Sequence, residues 1–300
     1  MTGIITVTGA SGWLGKSTLE IVKSSGHDMS KVVALASSKK DIVLDDGLVI
    51  NAHPITAPPD QIQDTEILIH LAYLTRDKVS SVGYDKYVLT NLDLTSIALS
   101  WLASFPIKSF VTVSSGARND QSTGAPETNI RSNPYGFLKR VDELTFEEEC
   151  DRRSITAVIA RLWGATGLDM MEAEKYAIGN FVISALKNQK IEISSGHKVV
   201  RRYVDSREFM QVCIELAKLG VSANFDSGGP EVEIGQLAIE VSKQLGSKIE
   251  ISRPLASNRH DDLYFPKSKD FEEFARISNV KLSSIQEQIS NTINGQRSKI

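Results

Sequence analysis

The sequence predicts an α/β protein built on a doubly wound parallel sheet, with a smaller α/β lobe in the C-terminal half. Three observations lead to that class. Short apolar, β-branched runs alternate with segments of helical periodicity through the first half of the chain. Those runs are nearly continuous in apolar residues, as expected of strands covered on both faces. A glycine-spaced turn also joins the first run directly to the first helical segment.

Taken in order, Gly3–Thr8 reads as the first strand and Trp13–Ser24 as the helix after it. Lys31–Ala36 is a second strand, Leu48–Asn51 a third, and Glu66–Ala72 (EILIHLA) a fourth. Tyr84–Phe105 has the length and periodicity of a long amphipathic helix. Ser109–Ser114 is a fifth strand, Pro134–Cys150 a charged helix, and Ile155–Arg161 a sixth strand. Beyond it the pattern is less regular, with Gly228–Pro230 and a polar stretch from Ser252 to Lys269. The expected division is 1–162 plus about 201–225 for the sheet domain, and about 163–200 plus 226–300 for a second lobe at the carboxyl ends of the strands.

Composition excludes several classes. The chain has 300 residues, 41% hydrophobic and 24% charged, which is ordinary for a globular protein. A formal net charge of -3 gives no basic footprint for nucleic acid. No apolar run reaches the ~20 residues of a membrane helix. The first residues, MTGIITVTGASG, lack the basic and apolar regions of a secretory signal. Cys150 and Cys213 lie far apart and read as reduced thiols, so a cytoplasmic setting is expected. The five histidines show no ligand spacing, and no metal is expected.

The turn Thr8-Gly9-Ala10-Ser11-Gly12-Trp13-Leu14-Gly15 follows the first strand and opens the first helix, with GxxGxxG spacing. Gly9 permits the tight turn, Gly12 lets backbone approach a pyrophosphate, and Gly15 lets the helix press on the sheet. The helix N-terminus favours the phosphate charge. The second strand runs into Ser37-Ser38-Lys39-Lys40, with no carboxylate before Asp41. An acidic residue there would select a free ribose hydroxyl; hydroxyls and lysines suit a 2′-phosphate, so NADP is favoured over NAD. A solvated loop is the alternative reading of the two lysines.

Tyr135 is followed four residues later by Lys139, in a segment where Asn133 reads as an N-cap and Pro134 as the first helical residue. The i,i+4 spacing puts both side chains on one helix face. An ammonium beside a phenol favours the phenolate, which makes a general acid/base near neutral pH. The fifth strand ends Val113-Ser114-Ser115-Gly116, and a serine there can hydrogen-bond a substrate oxygen. Taken singly, the pair also reads as an ordinary surface pair and the serines as a loop.

The motifs together resemble the extended short-chain dehydrogenase/reductase class, in its NAD-dependent epimerase/dehydratase family. Thr8–Gly15, Ile69-His70-Leu71-Ala72, Asn91, Ser114-Ser115 and Tyr135xxxLys139 carry the resemblance, which runs over nearly the whole chain. It implies a Rossmann sheet with NAD(P) as cofactor. It implies Tyr135 as acid/base, Lys139 holding the nicotinamide ribose, Ser115 positioning the substrate oxygen, and Asn91 supporting a water chain to Lys139. The expected cofactor set is Gly9, Ser11, Gly12, Trp13, Leu14, Gly15, Ser37, Ser38, Lys39, Leu71, Ala72, Tyr73, Asn91, Val113, Tyr135 and Lys139. His70 reads as a structural histidine at a strand end.

For substrate, Asn180-Phe181-Val182 resembles an asparagine-apolar motif that precedes a helix and meets nucleotide-sugar phosphates. Arg201 maps to the family's phosphate-binding arginine; Arg253 and Arg259 are candidates for a second clamp, and Arg259 precedes acidic residues in the family's manner. Departures are visible as well. Arg118-Asn119-Asp120 replaces a Val-Tyr-Gly triplet. Gly116 and Ala117 stand where dehydratases carry Asp-Glu, which argues against 4,6-dehydration. Gly164 replaces an asparagine, and Asp205 a histidine. The implied activity is hydride transfer at C4 of a nucleotide-activated sugar, with 4-keto reduction favoured. The alternatives are 4-epimerisation, reduction of a small non-sugar carbonyl, and, last, a non-catalytic nucleotide sensor. A homodimer through Tyr84–Phe105 and Pro134–Cys150 is implied by the resemblance alone.

Overall fold

A computed structural model describes residues 3–120, 124–246, 249–255 and 260–300. The chain divides into two compact units, residues 1–162 with 210–225, and residues 163–209 with 226–300.

In chain order the first unit begins with β1 (Ile4–Thr8), α1 (Trp13–Ser24), β2 (Val32–Ala36), β3 (Lys40–Val43), β4 (Val49–Pro54) and β5 (Thr65–His70). It continues through α2 (Val79–Val82), α3 (Tyr84–Ser104), β6 (Ser109–Ser115), α4 (Pro134–Arg153) and β7 (Thr156–Leu162). The chain then passes through β8 (Ala165–Thr166), α5 (Ala177–Leu186), β9 (Ile191–Glu192), β10 (Val199–Arg202) and β11 (Val204–Asp205). Next come α6 (Ser206–Leu219), β12 (Ala223–Asp226), β13 (Glu231–Glu233), α7 (Ile234–Gln244), β14 (Ile251–Ser252) and β15 (Asp262–Tyr264). The last elements are α8 (Asp270–Ile277) and α9 (Ile285–Arg297).

The central sheet has eight strands in the order β12-β7-β6-β5-β1-β2-β4-β3. The strand order reverses at β1, whose two neighbours β2 and β5 both run parallel to it. That is the doubly wound arrangement, and the crevice at the carboxyl ends beside the reversal is where such sheets bind ligands. The edge hairpin was not foreseen. β3 pairs antiparallel with β4, which runs to Pro54 rather than stopping at Asn51. Only Ile42 of β3 is buried, so its alternation is too short to stand out.

Burial explains the apolar runs. All seven residues of β6 are buried. One side of the sheet is sealed by α3 and α4, where Phe110 and Phe146 are fully buried with ring centroids 4.7 Å apart. The charged α4 is held by its ends. Asn133 Oδ1 accepts from Gly136 N at 3.0 Å, and Pro134 fills the first turn. Arg152 and Arg153 sit in the last turn, where the helix dipole favours cations.

In the second unit β10 pairs antiparallel with β13 and parallel with β15. Residues 201–209, expected with the sheet domain, therefore group with this unit, since the partners of β10 belong to it. Ser284 and Glu287 form a capping box that starts α9. Among the described residues no helix is long and apolar enough to cross a membrane.

Phe146 fills the space between Phe110 and His70. Phe146→Ala is expected to cost about 3–5 kcal/mol, read as a drop in the denaturant midpoint at unchanged slope. A loss below about 1 kcal/mol would show that the α3–α4 layer does not depend on this ring.

Candidate active site

The first unit assembles its chemistry at the carboxyl ends of β1, β5 and β6. Gly9 has φ +65, and a Cβ there would come within 2.7 Å of the Leu71 and Ala72 backbone. A Cβ at Gly15 would meet Gly9 O at 2.2 Å. The loop thus closes tightly on itself and on the end of β5. Gly12 is the N-cap of α1 and supplies no side-chain cap, and the positive end of a helix dipole favours an anion at such a terminus. This bare cradle fits a pyrophosphate. Ser11, Trp13 and Leu14 lie half-buried around it. Ser37, Ser38 and Lys39 are exposed between β2 and β3, while Lys40 is drawn into the β3 ladder opposite Ala52.

Thr8 organises the end of β5. Its Oγ1 accepts from Leu71 N and Ala72 N, both at 3.0 Å, and its own proton is directed at His70 Nδ1, 3.0 Å away. His70 is buried, and burial followed by the Lys139 charge pushes its pKa down to about 3. Its imidazole is thereby held neutral. Asn91 bonds the backbone through its side chain: Oδ1 accepts from Leu74 N at 2.8 Å and Nδ2 donates to Leu74 O at 3.4 Å. The loop after β5 is therefore anchored at both ends.

The first turns of α4, which carry Tyr135 and Lys139, pack against the end of β6 and the turn that follows Ser115. Ser115 Oγ accepts from Ala117 N at 3.2 Å and starts a short turn, Gly116–Arg118. A Cβ on Gly136 would lie 1.9 Å from Ala117 O, so only glycine lets the first turn of α4 reach that turn. Asn133 fastens it further, donating to Ala117 O at 3.1 Å and to Glu127 Oε2 at 3.0 Å. Tyr135, between Pro134 and Gly136, is thus fixed relative to Ser115.

Lys139 is buried, and its Nζ donates to Val113 O at 2.9 Å. Burial pushes its pKa down to about 8, against the pull of Asp142 and Glu143. Asp142 is also buried, and burial raises its carboxyl to about 6, against Lys139 and a 2.7 Å hydrogen bond from Thr95 Oγ1. The sequence reading missed Asp142 and Thr95. Their signal was the i,i+3 step from Lys139 to Asp142 on one helix.

Several departures from the family pattern acquire reasons. Arg118 pairs with the buried Glu143 at 3.3 Å, alongside Arg161 at 2.9 Å. In the second unit a Cβ on Gly164 would lie 2.4 Å from Arg202 O, which leaves no room for an asparagine. Asp205 is buried and anchors backbone and α9 through Arg207 N at 2.9 Å and Asn291 Nδ2 at 3.0 Å.

The expected substrate residues of the second unit stand as follows. Asn180 does not precede a helix; it is exposed inside α5, because that helix starts three residues earlier at Ala177. Arg201 is bound to Asp262, Nη2 to Oδ2 at 2.7 Å, and lies 5.6 Å from the Tyr264 ring centroid. Arg259 lies outside the described residues. Among the described residues there is no cluster able to hold a metal.

The buried pair makes stability depend on pH with opposite signs. Lys139, lowered from 10.5 to about 8, makes stability rise as pH climbs between those values. Asp142, raised from 3.8 to about 6, makes stability fall as pH climbs between those values. Lys139→Met combined with Asp142→Asn is expected to flatten both slopes and to hold or raise stability at neutral pH, by up to about 4 kcal/mol. Denaturant melts across pH measure it. Unchanged slopes would mean that neither group is held away from its ordinary value.

Comparison with known proteins bears on the family and the fold. A family model described as the NAD dependent epimerase/dehydratase family matches residues 5–225. No curated protein sequence matches the chain. Among solved structures, a UDP-N-acetylglucosamine 4-epimerase from Methanobrevibacter ruminantium M1, in complex with UDP-N-acetylmuramic acid, superposes with a TM-score of 0.78 at 17% identity, covering 99% of both chains. MoeE5 in complex with UDP-glucose and NAD gives 0.75 at 16% identity, also over 99% of both chains. UDP-glucose 4-epimerase of Thermotoga maritima with UDP-glucose gives 0.75 at 18%, over 98% of this chain and 99% of that one. These likenesses establish the Rossmann-type fold. The chain belongs to the NAD dependent epimerase/dehydratase family, and it is an NAD-dependent enzyme of the short-chain dehydrogenase/reductase type.

Proposed function

We propose that this enzyme acts on a nucleotide-activated sugar, with Tyr135 moving a proton at the C4 oxygen. The observation that carries the reading is the fixing of Ser115, Tyr135 and Lys139 around one α4–β6 contact, in the same unit as the bare glycine cradle. Bound in that cradle by Gly9, Gly12 and the N-terminus of α1, the nicotinamide cofactor would accept or return hydride. Ser115 Oγ would share the hydrogen bond to the sugar oxygen, and Lys139 would favour tyrosinate and hold the ribose. Val113, Leu71, Ala72 and Asn91 would shape the wall of the cofactor site. Residues 1–162 with 210–225 would serve the cofactor, and the second unit the sugar nucleotide.

In the second unit Arg201 is the phosphate candidate, since arginine meets phosphate with paired, charge-assisted hydrogen bonds. Asp262 holds it in place and would have to yield when a phosphate arrives. Asn180, exposed on α5, and Arg259 complete the proposed substrate set. Exposed Leu89, Leu92 and Leu144, at 60%, 40% and 55%, support a homodimer through α3 and α4. The buried free thiols Cys150 and Cys213 support a reducing, cytoplasmic setting.

Two outcomes share this chemistry. Net reduction of a 4-keto sugar is supported by Ser37, Ser38 and Lys39, which suit NADP. Epimerisation is supported by the UDP-sugar 4-epimerases among the structural neighbours. Parallel assays with a 4-keto and a 4-hydroxy nucleotide-sugar separate them: reduction of the ketone consumes NADPH stoichiometrically, whereas epimerisation interconverts the 4-hydroxy sugars with no net cofactor change. Tyr135→Phe is expected to lower turnover about 10²–10⁴-fold with cofactor affinity nearly intact. Wild-type turnover in that variant, or no redox change and no epimer with UDP-, GDP-, CDP- and dTDP-sugars, would overturn the reading.

Cofactor choice is tested separately. Titration of NADPH and NADH should show tighter binding of NADPH, and Lys39→Ala with Lys40→Ala should remove the difference. Equal affinities in the wild type would assign the enzyme to NAD.

A further inference from the structure

Tyr73 is the side chain that touches both members of the proposed acid/base pair. The Lys139 Nζ lies 3.5 Å from the centroid of its ring, and the Tyr135 ring meets it edge-on at 5.9 Å. We propose that Tyr73 is a positioning residue that holds the Lys139 ammonium in place behind Tyr135. The inference rests on the reading of Tyr135 and Lys139 as the acid/base pair.

Three observations support it. First, the place of Tyr73 is determined. Thr8 Oγ1 anchors Leu71 N and Ala72 N just before it, and Asn91 Oδ1 anchors Leu74 N just after it. Second, the ring is not held by its hydroxyl, which is buried with no hydrogen-bond partner among the described residues. Third, the buried ammonium has little else to meet. Its Nζ donates to Val113 O, and the π face of an aromatic ring attracts a desolvated cation.

The charges around Lys139 are few. From its own helix α4 come Asp142, Glu143 and Tyr135; from β5 comes His70, which stays neutral; from the loop after β5 comes Tyr73. Asp142 is fixed by Thr95 of α3. Among these, Tyr73 is the group that favours the ammonium without carrying a charge. Loss of its ring, with water still excluded, would make Lys139 give up its proton at lower pH. Tyrosinate at position 135 would then lose its cationic support.

The test reads Lys139 directly in the full-length protein, without substrate. Protein labelled at lysine Cε and Nζ is titrated by NMR through the lysine range, and the Lys139 signal is identified by its absence in Lys139→Arg. Tyr73→Leu is expected to lower the Lys139 midpoint by about one pH unit, while Tyr73→Phe, which keeps the ring, leaves it in place. Tyr73→Met replaces Tyr73→Leu if the latter fails to fold by circular dichroism. An unchanged or raised midpoint in the Leu or Met variant, or an equal fall in the Phe variant, overturns the role of the ring. The catalytic reading fails on a different result: if Lys139 shifts as expected but Tyr135→Phe keeps full turnover, the pair is not the acid/base and the positioning role falls with it. An unshifted Lys139 beside an inactive Tyr135→Phe overturns the Tyr73 role alone.

Discussion

A lysine ammonium removed from water must be met by its surroundings, and the first unit is arranged around that requirement at Lys139. Burial favours the neutral amine, and its pKa falls to about 8. Val113 O, the face of Tyr73 and the carboxylate of Asp142 work in the other direction. Each of these is held by something else. Val113 is fixed in β6, Asp142 by Thr95, and the Tyr73 loop by Thr8 and Asn91. The result is a cation poised near neutral pH, which is what a tyrosine needs if it is to lose and regain a proton there.

Close backbone approach is the second constraint. Gly9, Gly15 and Gly136 each lie where a Cβ would overlap backbone atoms. The first two draw the start of α1 against the end of β5. The third draws α4 against the turn after β6 and so fixes Tyr135 relative to Ser115. The carboxyl ends of neighbouring interior strands therefore carry both the glycine turn and the residues proposed as the acid/base pair.

In the second unit the arginine picked out for phosphate is already neutralised by Asp262, with Tyr264 beneath it. An arginine held in this way is pre-ordered, and binding an anion there exchanges one carboxylate for another acceptor rather than ordering a free side chain. Gly164 and Asp205 differ from the family pattern for packing reasons, the first by a backbone approach to Arg202 and the second by anchoring α9.

What the sequence by itself determined are features encoded locally. The alternation of apolar runs and helices, the glycine turn, the Asn133 cap with Pro134, and the i,i+4 step from Tyr135 to Lys139 all lie within a few residues. Each depends on backbone preferences or a single periodicity. The β3–β4 hairpin escaped notice because its four-residue edge strand buries one side chain, and Asn180 was placed outside a helix that begins just before it. Only the tertiary structure decided that Tyr73 lies under Lys139, that Asp142 meets Thr95, that Arg118 answers Glu143 and that Arg201 is held by Asp262. These partners come from different strands, helices and loops. Their pairing is set by which chain segments the sheet and its covering helices bring together, and no local pattern in a single sequence records it.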